Sequence, residues 1–346
     1  MKTLPRGEDR VCFCFGRRLR ALVCGGFVLV GVAAWQPLSA QTLLLNDSFP
    51  HGGRGAGDQS LSTSAYWYVI PGGGYTAVSG SLSETGGLAQ NFVANFTSGT
   101  GSSQSLNVGD AITLSFTFSV TGAVDSFSSG FNRGFRVGLL NSNGAAYQDA
   151  GLYSSYYNGF TGYFAALNLS TTDAVNDGKP IALIKRSATD GSVQFANPDK
   201  LDLVGKSFLI LNNAFPGSIV PGTSTNPYSP LGTGGSINTA NQFIDATTYT
   251  GALTLFRDTT DSMILNLSVN GPGLSGYTAT ISDPSSIFSA FNTIAIGPTS
   301  GEVTTFTLQN ASVIYTAVPE PSTYGVIAGA FALVGAAIAR RRVSLR

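Results

Sequence analysis

The sequence predicts an all-β protein whose body is a single large antiparallel β-sandwich. Three observations lead there. Over Ala111–Val120 the apolar residues Ile112, Leu114, Phe116, Phe118 and Val120 alternate with Thr113, Ser115, Thr117 and Ser119. One face is apolar and the other carries small hydroxyls, as a half-buried strand requires. Met263, Leu265, Leu267 and Val269 repeat the pattern before Asn270-Gly271. Between the two end segments no stretch sustains a 3.6-residue period, and Gly and Asn clusters separate the short apolar runs, which is the spacing of strands and turns rather than of helices.

In chain order the candidate strands are Ala65–Ile70, Leu88–Phe96, Ala111–Val120 and Gly134–Leu140 in the first half. Phe160–Leu167, Ile181–Lys185 and Phe208–Leu211 follow, then Ala252–Arg257, Met263–Val269, Tyr277–Ile281, Thr293–Ile296, Thr304–Leu308 and Ala311–Thr316. Asn107-Val108-Gly109-Asp110 supplies a turn before the clearest strand. Ser285–Phe291 is a candidate for one short helical turn. Pro216–Ser236, rich in Pro, Gly, Ser and Thr, reads as a long surface loop. No internal repeat and no clean boundary divides the body, so one domain over 41–317 is expected between the segments 1–40 and 318–346.

The two ends carry targeting signals. Arg10, Arg17, Arg18 and Arg20 precede an uncharged run from Ala21 to Ala34, and Leu38-Ser39-Ala40 offers a cleavage site before Gln41, the layout of a secretory signal. Arg17-Arg18 leaves a twin-arginine route open beside the general one, while Val23 before Cys24 excludes a lipoprotein box. At the other end Thr323–Ala339 is apolar and uncharged and is followed by Arg340, Arg341 and Arg342. At about 1.5 Å per residue its roughly 17 helical residues cover about 25 Å, near the lower limit for a membrane span. The arginines place the chain end on the cytoplasmic side, and Pro319 and Pro321 make an extended spacer before it.

These segments hold all three cysteines, Cys12, Cys14 and Cys24. The body therefore has no disulfide and no thiolate metal site. Of the 19 Lys/Arg, six belong to the first segment and four to the tail; of the 19 Asp/Glu, three do. The body is left with 9 basic and 16 acidic residues, a net charge of about −7, and no electrostatic footprint for nucleic acid.

No catalytic residues are expected. The body has only Glu84 and Glu302, not spaced as an acid–base pair. His51 is its only histidine, in the glycine-rich Pro50–Gly55, without a Gly-x-Ser-x-Gly elbow. Calcium, which needs only oxygens, is the one metal left open, at Asn176-Asp177-Gly178, Asp199 with Asp202, or Asp258 with Asp261. Aromatics are the remaining candidates, because sugar rings stack on Trp and Tyr beside hydrogen-bonding amides. Trp67 lies between Tyr66 and Tyr68, and Tyr147, Tyr153, Tyr156, Tyr157 and Tyr163 form a second group. Core or edge packing of the same rings is the competing reading, and strand alternation turns at least one of Tyr66 and Tyr68 away from Trp67.

Two resemblances bear on these features. Val318-Pro319-Glu320-Pro321-Ser322, the apolar run and the arginine cluster resemble the PEP-CTERM sorting signal. This resemblance implies a membrane processing enzyme, exosortase, as partner, transient residence in the cytoplasmic membrane, and a final place at the cell surface or in an extracellular matrix with exopolysaccharide. The order Asn46-Asp47-Ser48-Phe49, Phe135–Leu139, Leu267–Gly271, Ile294–Gly297 and Phe306–Tyr315 is similar to that of concanavalin-like jelly rolls, which implies a fold and transfers no site. The expected function is that of a non-enzymatic exported surface or matrix protein, with a carbohydrate-binding module as the alternative and a polysaccharide-active enzyme third.

Overall fold

The computed structural model describes residues 39–50, 52, 66–70, 75–85, 91–99, 101–122, 134–147, 159–168, 180–187, 228–235, 243–298, 304–318, 329–335 and 340. The chain separates into a compact body, Ala40–Ala317, and the terminal segments Met1–Ser39 and Val318–Arg346. The predicted cleavage between Ala40 and Gln41 falls one residue inside the first strand of the body.

Among the described residues there are seventeen strands. They are β1 (Ala40–Asp47), β2 (Tyr68–Ile70), β3 (Tyr75–Val78), β4 (Ser81–Thr85), β5 (Asn91–Asn95), β6 (Gln104–Ser105), β7 (Ala111–Thr121), β8 (Gly134–Asn141) and β9 (Thr161–Asn168). Then come β10 (Ile181–Arg186), β11 (Tyr228–Gly234), β12 (Thr248–Arg257), β13 (Met263–Asn270), β14 (Thr278–Asp283), β15 (Ala290–Phe291), β16 (Thr293–Pro298) and β17 (Thr305–Ala317). An eight-stranded sheet runs β14-β13-β12-β7-β17-β4-β3, with β1 also paired to β17. A seven-stranded sheet runs β11-β10-β9-β8-β16-β5-β2, and β15 pairs with β6. All these pairings are antiparallel.

One core joins the two sheets. Phe118 of β7 stacks on Phe135 of β8 at 4.6 Å between ring centres, and Phe306 of β17 lies 5.4 Å from Phe135. The alternation in the sequence is the cause: Ile112, Leu114, Phe116, Phe118 and Val120 are all buried while the hydroxyl residues between them keep solvent contact. Gly251 interrupts the inward apolar series of β12 because its cross-strand partner Phe116 lies over it; a Cβ there would meet the ring at 2.2 Å. The central strands of the seven-stranded sheet are buried on both faces, with Val93, Leu140, Phe164 and Ala295 on the face opposite the core.

Three expectations need correction. Ser285–Phe291 forms no helical turn; its last two residues are β15. Part of the loop expected at Pro216–Ser236 is β11, an edge strand with Pro230 beside a register shift, both places where a sheet tolerates proline. Thr304–Leu308 and Ala311–Thr316 are one strand, β17, whose register shifts between Leu308 and Asn310. Within Thr323–Ala339, residues 329–335 are helical with Phe331, Leu333 and Val334 exposed, but no helix among the described residues is long and apolar enough to cross a membrane. The signal segment, Phe208–Leu211 and the Pro-Glu-Pro motif lie outside the described residues.

Candidate tyrosine platform

The edge strand β2 sorts its three neighbouring aromatics by alternation. Trp67, just before it, points inward and is fully buried. Its indole Nε1 donates to Asp47 Oδ2 at 2.7 Å, and its ring sits 5.5 Å from Phe49. Asp47 Oδ1 accepts from the Phe49 amide at 2.8 Å, holding Phe49 at a positive φ of 55°. Trp67, a candidate sugar contact with core packing as the competing reading, has no open face: it is a core residue tied to β1 through Asp47.

Tyr66 and Tyr68 point the other way and meet each other edge to face at 5.0 Å. Tyr66 is 42% exposed and Tyr68 is half-buried. Tyr68 then stacks on Tyr147 at 5.6 Å with 26° between the rings, and Tyr147 meets the buried Phe160 edge-on at 5.7 Å. The two aromatic groups of the sequence are thus brought together through Tyr68 and Tyr147, in a row on the outer side of the seven-stranded sheet. Tyr153, Tyr156 and Tyr157 lie outside the described residues. Tyr163 points instead into the core, where its hydroxyl donates to Asp283.

A polar network fixes Tyr147. Asn95 Nδ2 donates to its hydroxyl at 3.1 Å, and that hydroxyl pairs with Thr293 Oγ1 at 2.5 Å. Thr293 Oγ1 donates to Asn292 Oδ1 at 2.7 Å, and the Tyr147 hydroxyl donates to the same Asn292 oxygen at 3.3 Å. Asn292 ties the surrounding segments together: its Oδ1 accepts from the Ser142 amide at 2.8 Å, and its Nδ2 donates to Ser142 Oγ and the Ser102 carbonyl, both at 3.0 Å. Asn95 Oδ1 also accepts from the Thr97 amide and hydroxyl at 2.6 and 2.9 Å. Burial raises the Tyr147 pKa, against hydrogen bonds from Ser142, Thr293 and Asn95 that lower it, and the phenol stays neutral. Every side-chain partner named for Tyr147 is itself uncharged. The row offers ring faces for the C–H side of a pyranose, with amides and hydroxyls beside them for its oxygens.

The other ionisable cluster is closed. Lys185 Nζ lies 2.8 Å from Asp283 Oδ2 and donates to the Ser285 carbonyl at 2.8 Å, while Tyr163 donates to the same Asp283 oxygen at 2.8 Å. Burial pushes the Tyr163 phenol well above its usual range. Tyr163 and Lys185 belong to one sheet and Asp283 to the other, so the cluster is a polar strut between the sheets. Glu84 is buried in β4. Asp258 and Asp261 are exposed at the β12–β13 turn, whereas His51, Asp177, Asp199, Asp202 and Glu302 lie outside the described residues. Among the described residues no three His, Cys, Asp or Glu side chains converge as a metal site.

Several solved structures align with most of this chain. The legume lectin-like domain from Entamoeba histolytica covers 79% of it and 96% of its own length, at 12% identity and a TM-score of 0.39. The Ca2+/Man2-bound exoplasmic/lumenal domain of VIP36 covers 82% and 93%, at 11% identity and a TM-score of 0.42. The alginate lyase Aly36B covers 78% and 95%, at 10% identity and a TM-score of 0.33. Neither a protein-family model nor a curated protein sequence matches the chain.

Proposed function

We propose that this chain is an exported surface protein whose β body binds polysaccharide through the row Tyr66–Tyr68–Tyr147. The observation that carries the reading is the row itself: Tyr66 and Tyr68 at the edge strand β2 and Tyr147 from the segment after β8, with Tyr66 exposed and Tyr147 held by an uncharged amide and hydroxyl network. Alternation around the buried Trp67 turns Tyr66 and Tyr68 outward together, and Tyr147 extends them into a row. Binding has no catalytic step in this reading, and the residues serve as a stacking surface and hydrogen-bonding rim.

A glycan array probed with the full chain tests it. Saturable binding is expected, and Tyr66→Ala/Tyr68→Ala should weaken it about tenfold or more, since aromatic stacking contributes roughly 0.5–1.5 kcal/mol per pair beyond buried area. Melting should change little for these partly exposed side chains. Unaltered binding by a folded double variant, or no saturable binding at all, refutes the platform.

Sorting through the tail is supported by a second observation. The compact body ends at Ala317, one residue before Val318-Pro319-Glu320-Pro321-Ser322, so the motif and the arginines Arg340–Arg342 lie wholly outside it. In this reading an exosortase-type enzyme removes the tail after the arginines have stopped transfer, leaving the β-sandwich whole at the cell surface. The pair Pro319→Ala/Pro321→Ala should accumulate as a longer, membrane-held precursor on an immunoblot. Normal processing of that variant counts against sorting without touching the tyrosine platform.

A further inference from the structure

The outer face of the eight-stranded sheet is as unusual as its core is ordinary. Its strands are in register, so outward residues line up in rows across them. One row is Thr280, Asn266, Thr254 and Thr113, from β14, β13, β12 and β7. Another is Asn270, Thr250, Thr117 and Asn310, from β13, β12, β7 and β17. Hydrogen bonds run along the rows: Asn266 Nδ2 donates to Thr280 Oγ1 at 2.7 Å, Thr113 pairs with Thr254 at 3.0 Å, and Ser83 of β4 pairs with Thr307 of β17 at 3.0 Å.

All of these residues keep solvent contact. No outward position of β7, β12, β13, β14 or β17 carries a charge. The face carries the low charge of the whole chain, 11%, to its limit, against the roughly 25–35% recommended for a soluble surface. With strands about 4.8 Å apart, the six from β14 to β4 span roughly 24 Å, and outward residues recur about every 6.8 Å along each strand.

We infer that this face is a binding surface for a neutral, extended polysaccharide lying along the rows, across the strands. The matching is chemical. Each position of these two rows presents a hydroxyl or amide that both donates and accepts, as do the hydroxyls of a neutral sugar, while Phe256, Ile264 and Ile314 give the same face apolar spots for the C–H side of a sugar ring. An anionic polymer finds no cation here, and an apolar partner would strand the hydroxyls without partners. A pyranose in an extended β-linked chain is about as long as the strand spacing, so successive sugars meet successive strands. Such rows are also fixed by the sheet before any ligand arrives, which lowers the ordering cost of binding. The inference does not rest on the tyrosine row, which lies on the other sheet.

Adsorption of the full chain to microcrystalline cellulose tests it. Saturable adsorption is expected, unchanged between about 0.05 and 0.5 M NaCl because no ion pairs are involved. The isosteric variant Thr113→Val/Thr117→Val/Thr250→Val/Thr254→Val should adsorb at least about tenfold more weakly, from the loss of several hydrogen bonds. The threonine changes should weaken adsorption by the same factor in a Tyr66→Ala/Tyr68→Ala background, because the two surfaces lie on different sheets. If the quadruple variant fails to fold, Thr250→Lys at an exposed position probes the same face. No saturable adsorption, equal adsorption by a folded face variant, or adsorption lost only with the tyrosines overturns the inference. A face that instead joins two copies of the chain, seen as an oligomer dissolved by the threonine changes without cellulose binding, overturns it as well.

Discussion

Tyr315 donates to Asp110 Oδ2 at 2.6 Å, and burial followed by the Asp110 hydrogen bond and charge pushes its pKa from 10.0 up to about 12. The fold therefore favours the neutral phenol. Its contribution to stability is full below pH 10 and is lost as the pH rises from 10.0 through about 12, because the unfolded chain gives up the proton first. Burial shifts Tyr147, Tyr163 and Tyr249 in the same direction. Thermal melting followed across that window should fall less steeply for Tyr315→Phe than for the parent, with part of the slope remaining. An identical slope would show that the Asp110 contact has no energetic weight. At this scale the sequence was only partly legible. It marked Trp67 as exceptional, but its direction was decided by Asp47, twenty residues earlier, and no local pattern announces that bond. The meeting of Tyr68 with Tyr147 needed β2 and the segment after β8 to be placed first, which is tertiary information.

The strands most visible in the sequence, β7, β12 and β13, share one property: an apolar core on one face and small polar residues on the other. Alternation fades where both faces are buried, as in β10 and β16, although short apolar runs still marked them. It fails in β11, whose Ser-Pro-Leu-Gly-Thr carries turn composition into an edge strand. β17 shows what an element contributes beyond its own burial. It pairs with β7 along one side, and with β4 and then β1 along the other. A stop after Ala317 should leave the melting transition where it is. A stop after Thr304, which deletes the strand, should abolish cooperative unfolding in circular dichroism, because β1, β4 and β3 lose their attachment to the sheet. A stable, cooperative product from the shorter chain would show that the sheet closes some other way.

For the whole molecule, the all-β class could be read because strand periodicity is local. The proposed ligand surfaces could not, because both arise from register. The threonines of β7 and β12 are ordinary solvent-side residues until pairing sets Thr254 beside Thr113 and Thr250 beside Thr117. The position of β17 has a consequence in time. A chain is made from its N-terminus, and here the last strand made sits inside the eight-stranded sheet while the first, β1, waits for it as a partner. Among the described residues sixteen strands precede β17, and β1, β4 and β3 have no link to β7 until it is in place. Closure of the eight-stranded sheet is therefore timed by β17, however early its other strands pair.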